Sequence, residues 1–245
     1  MRNIKLTIEY DGTNYNGWQS QKNGTGIEDV IKKAIRDLTG EDVDLIASGR
    51  TDAGVHALGQ VANFITQSSI PADKFSFALN TKLPEDIVIV KSEEVDKNFH
   101  ARFSAKSKTY RYLIYNDIHP SALLRRRAYH VFYELNLETM KQAASYFIGT
   151  HDFVGFMAKG SSVKTTVRTI SDITINKKDK LVEIEVTGNG FLYNMVRIIS
   201  GTLVDVGIEK IQVADIKDII ESRRRENAGR TLPPWGLYLV KVDYD

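Results

Sequence analysis

Hydrophobic and polar residues alternate along the first residues of the chain. The side chains that would share one face of an extended strand are Ile4, Leu6, Ile8 and Tyr10. After a stretch rich in glycine and asparagine, the segment TGIEDVIKKAIRDLTG has its apolar residues at helical spacing. The pattern predicts a half-buried strand followed by an amphipathic helix.

The predicted helix carries signals at both ends. Thr25 and Glu28 have the spacing of an N-terminal capping box, and Gly40 can end the helix. The positions expected to face the core are Ile27, Val30, Ile31, Ala34, Ile35 and Leu38.

The remaining apolar segments of the first half extend this order. We interpret DVDLIAS and QVANFIT as strands on either side of a polar loop, ADKFSFALN as a short helix and DIVIVKSEEV as a further strand. The resulting order is β-α-β-β-α-β, the split βαβ arrangement of ferredoxin-like units.

The second half repeats that order without repeating the sequence. It contains, in turn, a strand SKTYRYLIYN, a helix LETMKQAASYFIG, a hairpin TVRTISDITINKKDKLVEIEVTG, a helix FLYNMVRIISGTLVDVG and a strand WGLYLVKVDY, with extra segments inserted. We therefore predict an α+β protein with two related domains, residues 1–105 and 106–245. Their antiparallel sheets are expected to join around a central cleft that holds the site.

Composition narrows the class of protein and of chemistry. The 245 residues are 42% hydrophobic and 26% charged, which is typical of a soluble globular protein. The first residues lack the apolar core of a signal peptide and no apolar run could cross a bilayer, so we expect a cytoplasmic protein without membrane contact. The absence of cysteine excludes thiol chemistry, and the five scattered histidines do not indicate a metal site.

The charge distribution leaves two interpretations open. A formal net charge of +2 is too small to argue for nucleic acid by itself. Arginines nevertheless cluster at residues 125–127 and 223–225, where they form either solvated faces or a phosphate-binding surface.

The polar loop SGRTDAGVHALGQ, residues 48–60, holds the first candidate for chemistry. Gly49 and Gly54 indicate a loop of fixed shape, and Arg50 and Asp52 lie between them. An aspartate beside glycine is often an Asx-turn residue. The alternative is a carboxylate that acts as nucleophile or base without a thiol or a metal.

Three further segments carry candidates with two interpretations each. Tyr110 and Tyr112 face one side of a strand, either as core residues or as a platform for a base. Arg197, among apolar neighbours, is either an exposed helix residue or a buried guanidinium that needs a carboxylate such as Asp52. The loop at residues 10–21, with exposed-looking aromatic residues and amides, is either structural or an RNA contact.

Six segments follow one another in a fixed order: YDGTNYNGWQSQ, SGRTDAGVHALGQV, FHARFSAKSKTYRY, GTHDF, GNGFLYNMVR and LPPWGLYL. In this order they resemble the TruA family of tRNA pseudouridine synthases over nearly the whole chain. The resemblance implies a cytoplasmic homodimer with the pseudouridine synthase fold. It also implies isomerisation of uridine at positions 38, 39 and 40 in the anticodon stem-loop of tRNA, without a cofactor or a metal.

The resemblance also implies roles for individual residues. Asp52 matches the catalytic aspartate, and Arg50 matches the arginine that helps to extrude the target nucleotide. Tyr110 matches the tyrosine that stacks on the base and is able to carry a proton. Arg197 matches the basic residue that pairs with the aspartate, and Leu237 matches an apolar residue near the base.

Two other functions are compatible with the same scaffold. One is a tRNA-binding protein or RNA chaperone without catalysis, although such a protein would have no chemical reason to carry Asp52, Tyr110 and Arg197 together. The other is a scaffold whose loops serve only folding. The segment at residues 158–168 matches no motif, so its role stays open.

Overall fold

The computed structural model describes residues 1–20, 24–160 and 163–244. Gln21, the last residue of the loop interpreted as either structural or an RNA contact, lies outside the described residues. So do two residues of the unassigned segment 158–168. Backbone contacts divide the chain into two compact units. The first unit comprises Met1–Lys106 and Leu239–Asp245, and the second comprises Ser107–Tyr238. The end of the chain therefore groups with the first unit.

The mixed α+β class and the predicted order of elements are confirmed. The helices and strands of the first half are β1 (Arg2–Tyr10), α1 (Ile27–Thr39), β2 (Ile46–Ala47), β3 (His56–Thr66), α2 (Phe75–Asn80) and β4 (Ile87–Val95). Those that follow are β5 (Ser107–Asn116), β6 (Tyr129–Val131), α3 (Leu137–Ser145), β7 (Gly149–Asp152), β8 (Val167–Lys178), β9 (Leu181–Gly188), α4 (Met195–Gly207), α5 (Asp215–Ser222) and β10 (Leu237–Asp243). Strands β6 and β7 and helix α5 are insertions into the repeated order.

The sheet of the first unit has β1 between two antiparallel neighbours, β3 and β4. The alternation predicted for β1 is confirmed, since Ile4, Leu6 and Ile8 are fully buried. The pairing of β1 with β3 shifts register between Ile8 and Tyr10, at one end of β3. Such a bulge bends the strand and redirects the chain that adjoins it. Here the adjoining chain is the loop that carries Asp52.

Helix α1 ends as predicted but begins differently. Gly40 adopts the left-handed conformation with φ of 75° and ends the helix. The capping box expected from Thr25 and Glu28 is wrong, because the helix starts one residue later. Gly26 is the N-cap, and its N–H donates to Asp29 Oδ2 at 3.1 Å.

The strands that flank the polar loop differ in length from the prediction. Of the segment DVDLIAS, only Ile46–Ala47 pairs with β3. Strand β3 is longer than expected, because it begins at His56 and includes the end of the predicted loop. The loop proper therefore consists of residues 48–55, which we call the Asp52 loop.

The second unit contains an antiparallel sheet of β5, β9, β8 and β7, and β6 lies parallel to β5 at one edge. The predicted hairpin is confirmed as β8 and β9, joined at Asp179, whose φ is 53°. Helix α4 begins at Met195, not at Phe191, because Asn194 has a left-handed φ of 62° that a helix does not continue through. Arg197 consequently lies in the first turn of α4, where the second turn was predicted.

No helix within residues 1–20, 24–160 and 163–244 combines the length and the apolar character needed to cross a membrane.

Candidate active site

The Asp52 loop is attached to β1 through a buried hydroxyl pair. The hydroxyls of Tyr10 and Thr51 lie 2.7 Å apart and share a hydrogen bond. Both side chains are buried, and burial raises the pKa of Tyr10 well above its usual range, so this phenol stays protonated. The residue directly before Asp52 is thereby fixed to the central strand of the sheet.

A second polar group supports the start of the same loop from β3. Gln60 is buried; its side-chain oxygen accepts a hydrogen bond from Ser48 Oγ at 2.7 Å, and its side-chain nitrogen donates to the Gly49 carbonyl at 2.9 Å. The Ser48 N–H also donates to the Val61 carbonyl at 2.7 Å. A buried amide with both ends paired holds a loop backbone in one conformation.

The loop is enclosed from the other side by the chain at Gly17 and Trp18. The Trp18 N–H donates to the Thr51 carbonyl at 3.0 Å. Gly17 has φ of 87°, and a Cβ at this position would lie 2.4 Å from the Thr51 carbonyl oxygen. Only glycine fits here without displacing the backbone beside Asp52.

Asp52 and Arg50 themselves lie at the surface of this support. Asp52 is half-buried, and its carbonyl accepts from Val55 N at 3.1 Å across Gly54, whose φ is 77°. The Arg50 side chain is exposed. The backbone of the loop is thus held in one conformation, and it carries a half-buried Asp52 and an exposed Arg50.

The aromatic residues of the loop at residues 10–21 looked exposed in the sequence but are buried, which favours the structural interpretation of this loop over an RNA contact. Trp18 is 2% exposed and Tyr15 is 9% exposed. Trp18 packs 6.1 Å from the Tyr10 ring, and the Tyr15 hydroxyl donates to Asp86. These rings belong to the core that supports the Asp52 loop, so they offer no surface for a base.

In the second unit Tyr110 lies on β5 and is largely buried. The Phe191 ring meets it edge to face, with ring centroids 5.1 Å apart and planes at 82°. Strand β5 fixes the position of the Tyr110 backbone, and the contact with Phe191 fixes the orientation of the Tyr110 ring.

Arg197 is half-buried at the start of α4, and its guanidinium is hydrogen-bonded. Nε donates to the Leu232 carbonyl at 2.7 Å, and Nη1 donates to the side-chain oxygen of Asn194. Asn194 is the residue whose left-handed backbone sets the start of the helix. The same residue therefore determines where α4 begins and where the arginine head lies.

The segment after Leu232 connects this arginine to β5. Tyr112, fully buried two residues after Tyr110, donates its hydroxyl to the Pro233 carbonyl at 2.7 Å. Burial raises the pKa of Tyr112 far above its usual range, and the positive charge of Arg197 acts in the opposite direction. Leu237 follows as the buried first residue of β10. Of Tyr110 and Tyr112, Tyr112 is therefore a core residue that supports the structure.

The residues that support the site in both units were not predicted to do so from the sequence, although Tyr10 and Tyr112 were recognised as strand residues. The supporting residues are Tyr10, Gly17, Ser48, Thr51 and Gln60 in the first unit and Tyr112, Phe191, Asn194 and Leu232 in the second. Most of their contacts connect segments far apart in the chain, where no local pattern indicates them. The hydrogen bond of Arg197 to Asn194 is local, since these residues are three positions apart. Within the part of the chain that the structure describes, no three His, Asp or Glu side chains are grouped to hold a metal ion.

Comparison with known proteins identifies the class. A family model described as tRNA pseudouridine synthase matches residues 6–104 and 143–245. The chain is 64% identical over 244 residues to the tRNA pseudouridine synthase A of Acetivibrio thermocellus, and 57% identical over 245 residues to the protein of that name from Ruminiclostridium cellulolyticum. Each alignment covers 100% of both chains.

The chain belongs to the tRNA pseudouridine synthase family. Members of this family are isomerases, and the resemblance drawn from the six sequence segments is confirmed.

Proposed function

We propose that this protein isomerises uridine to pseudouridine at positions 38, 39 and 40 in the anticodon stem-loop of tRNA, with Asp52 as the catalytic residue and without a cofactor. One observation supports the role of Asp52 above all. The residue before it is fixed by the buried Tyr10 hydroxyl, and the chain around it is enclosed by Gly17 and Trp18. Preorganisation of this kind is what a reactive group requires.

The reaction breaks the bond between uracil N1 and ribose C1′, turns the ring, and forms a bond from C5 to C1′. The proton leaves C5 and N1 gains one, so atoms and charge balance without a redox partner. Asp52 acts either at C1′, by attack or elimination at the sugar, or at C6 of the ring. Both routes need an ionised carboxylate.

A uridine within a stem must leave the helix before it can react. Extrusion costs a few kcal/mol in lost stacking and pairing. The exposed Arg50 is suited to occupy the space that the nucleotide leaves. Tyr110, held edge to face by Phe191, is suited to stack on the extruded base and to pass a proton.

Arg197 and Leu237 complete the proposed set. In this family's pattern Arg197 is the partner of the catalytic aspartate, and a nearby arginine favours the ionised form of a carboxyl group. Asn194 and Leu232 restrict the guanidinium to one position, which supports a directional role. Leu237, buried at the start of β10, is proposed to contact the base.

The test is release of tritium from tRNA labelled at C5 of uridine, since C5 loses its hydrogen only when pseudouridine forms. We expect Asp52→Asn to abolish release while the variant retains its melting temperature and its affinity for tRNA. The matched control is Asp44→Asn, an exposed aspartate of the same unit, which we expect to remain fully active.

Two outcomes would contradict the proposal in different ways. Turnover retained in Asp52→Asn would remove this residue from catalysis. A wild-type protein that binds tRNA without releasing tritium would favour the non-catalytic binding protein.

We further propose a homodimer in the cytoplasm, where tRNA is processed. Large apolar side chains are exposed between β5 and α3, which is typical of a surface that contacts another protein. They are Ile118, Leu123, Phe132 and Tyr133. Sedimentation of the wild-type protein as a monomer at micromolar concentration would contradict the dimer.

A further inference from the structure

The turn between β4 and β5, residues 96–106, exposes an aromatic ring to which the proposed function assigns no role. Phe103 is 77% exposed, although phenylalanine is normally buried. An exposed aromatic ring on an unstructured loop would need no explanation. This turn, however, is held firmly in place.

The base of the turn is fixed by two buried asparagines. Asn3 Nδ2 donates to the carbonyls of Asp96 and Phe99, at 3.0 and 2.9 Å. Asn63 accepts from the Ala101 N–H at 2.8 Å and donates to Asn3 Oδ1 at 2.9 Å. The side chains of two adjacent strands thus replace the backbone pairing that a turn lacks.

The C-terminal residues of the first unit add a second attachment. Tyr244 donates its hydroxyl to the Ala101 carbonyl at 2.8 Å, and its ring packs 4.9 Å from Phe99. Phe99 therefore faces the protein, while Phe103, four residues later, faces solvent. The exposure of Phe103 belongs to a rigid arrangement.

The end of the turn orients Phe103 itself. His100 Nδ1 accepts from the N–H groups of Arg102 and Phe103, at 3.2 and 3.3 Å. The His100 ring lies 4.2 Å from the Phe103 ring with planes at 32°, and the Arg102 guanidinium lies 5.7 Å from the same ring. The result is an aromatic group with a cation beside it.

The charge of the turn indicates what it binds. Residues 96–106 include three exposed cations, Lys97, Arg102 and Lys106, against one acidic residue, Asp96, so the turn carries a surplus of positive charge. An aromatic ring among cations is suited to an unpaired base and its phosphates, because bases stack on aromatic rings and phosphates attract cations. A protein partner would not require this excess of positive charge.

We propose that the turn at residues 96–106 is a second RNA contact, in which Phe103 stacks on an unpaired base of the tRNA and Arg102 contacts an adjacent phosphate. This inference rests on the proposed function, since it assigns part of the tRNA-binding surface. It adds a nucleotide contact to those proposed above for the reacting uridine.

The test measures the affinity of a tRNA transcript for variants of the full chain. Phe103→Ala should weaken binding roughly fivefold to a hundredfold, the range for loss of one stacked base. Phe103→Leu should bind tRNA as weakly as Phe103→Ala does. Phe103→Trp should bind within about twofold of wild type, because an indole also stacks. Turnover at saturating tRNA should change much less than KM.

The matched control is Phe77→Ala. Phe77 is also a phenylalanine of the first unit, 69% exposed, with Lys74 5.2 Å from its ring. Lys74 is paired with Asp73, so this second ring lacks a surplus of positive charge. We expect Phe77→Ala to leave tRNA affinity unchanged.

Two further measurements separate stacking from charge. Arg102→Ala should reduce the slope of log affinity against log salt by about one, while Phe103→Ala should leave that slope unchanged. The fluorescence of Phe103→Trp should be quenched when tRNA binds, and that of Phe77→Trp should not.

The outcomes distinguish this inference from the proposed function. If wild type releases tritium but Phe103→Ala binds tRNA as wild type does, only the turn contact is overturned. If wild type neither binds nor modifies tRNA, the proposed function fails. If Phe103→Ala instead shifts sedimentation to a smaller species or lowers the melting temperature as much as a core variant, the ring serves self-association or folding and the inference is wrong.

Discussion

In the first unit Asp52 lies in a loop whose shape depends on side-chain hydrogen bonds, whereas in the second unit Tyr110 and Arg197 lie on a strand and in the first turn of a helix. Regular backbone hydrogen bonds position the second pair. The loop has no such ladder, so buried polar groups take its place. Its geometry should therefore be the more sensitive to single supporting residues.

The largest expected effect is on the reacting residues of the second unit. Arg197→Met removes the guanidinium and its hydrogen bonds to Leu232 and Asn194, and we expect activity to fall about a hundredfold or more. The control is Arg230→Met, since Arg230 is exposed and its guanidinium lies 5.8 Å from the Tyr129 ring. Full tritium release by Arg197→Met would show that the carboxylate needs no arginine partner.

The next effect tests the support of the Asp52 loop. Gly17→Ala places a Cβ against the Thr51 carbonyl in a left-handed conformation, and we expect a loss of at least about 3 kcal/mol in the free energy of unfolding. Gly40→Ala is the matched control, because its φ is 75° but nothing lies within 4 Å of the added Cβ. That variant should lose only about 1–2 kcal/mol. Equal losses in urea unfolding would remove the special role of Gly17.

A smaller effect on stability and kcat is expected when either of the two buried tyrosine hydroxyls is removed. Tyr10→Phe and Tyr112→Phe each remove one hydrogen bond, to Thr51 and to Pro233, and should each cost about 1 kcal/mol of stability. Only Tyr10 contacts the residue beside Asp52. We expect its variant to lower kcat roughly three- to tenfold with KM unchanged. If both variants lower kcat equally, the Asp52 loop is no more sensitive to its supporting residues than the strand and helix of the second unit are.

The last effect, which is absent at neutral pH, is a dependence of stability on alkaline pH. Burial raises the pKa of Tyr10 and of Tyr112 above the ordinary value of 10.0. Above about pH 10 the unfolded chain loses these protons and the folded protein keeps them, so the free energy of unfolding falls as pH rises. The slope that each tyrosine contributes rises towards about 1.4 kcal/mol per pH unit as the pH passes well above 10.

Urea unfolding between pH 9 and pH 11 checks this contribution. Tyr10→Phe and Tyr112→Phe should each lose less stability per pH unit than wild type does. Identical slopes in wild type and both variants would show that these phenols titrate alike in the folded and unfolded chain.

Periodicity predicted those parts of the fold that depend on neighbouring residues. The buried face of β1 and the hairpin of β8 and β9 follow from alternation, which reports directly which side chains face the core. The start of α4 does not follow from the pattern, because apolar residues continue upstream of it. Only the left-handed backbone of Asn194 ends that continuity and moves Arg197 into the first turn.

The sequence by itself determined the mixed α+β class, the order of elements and, through six segments in a fixed order, the family. It also singled out Asp52, Arg50, Tyr110, Arg197 and Leu237 as candidates. Tertiary structure alone decided which aromatic residues are buried. Trp18 and Phe103 are both aromatic residues with polar neighbours in the sequence, yet Trp18 is 2% exposed and Phe103 is 77% exposed. Exposure depends on contacts between distant segments, such as Trp18 with Thr51 and Ala101 with Asn63 and Tyr244, and local composition does not encode those contacts.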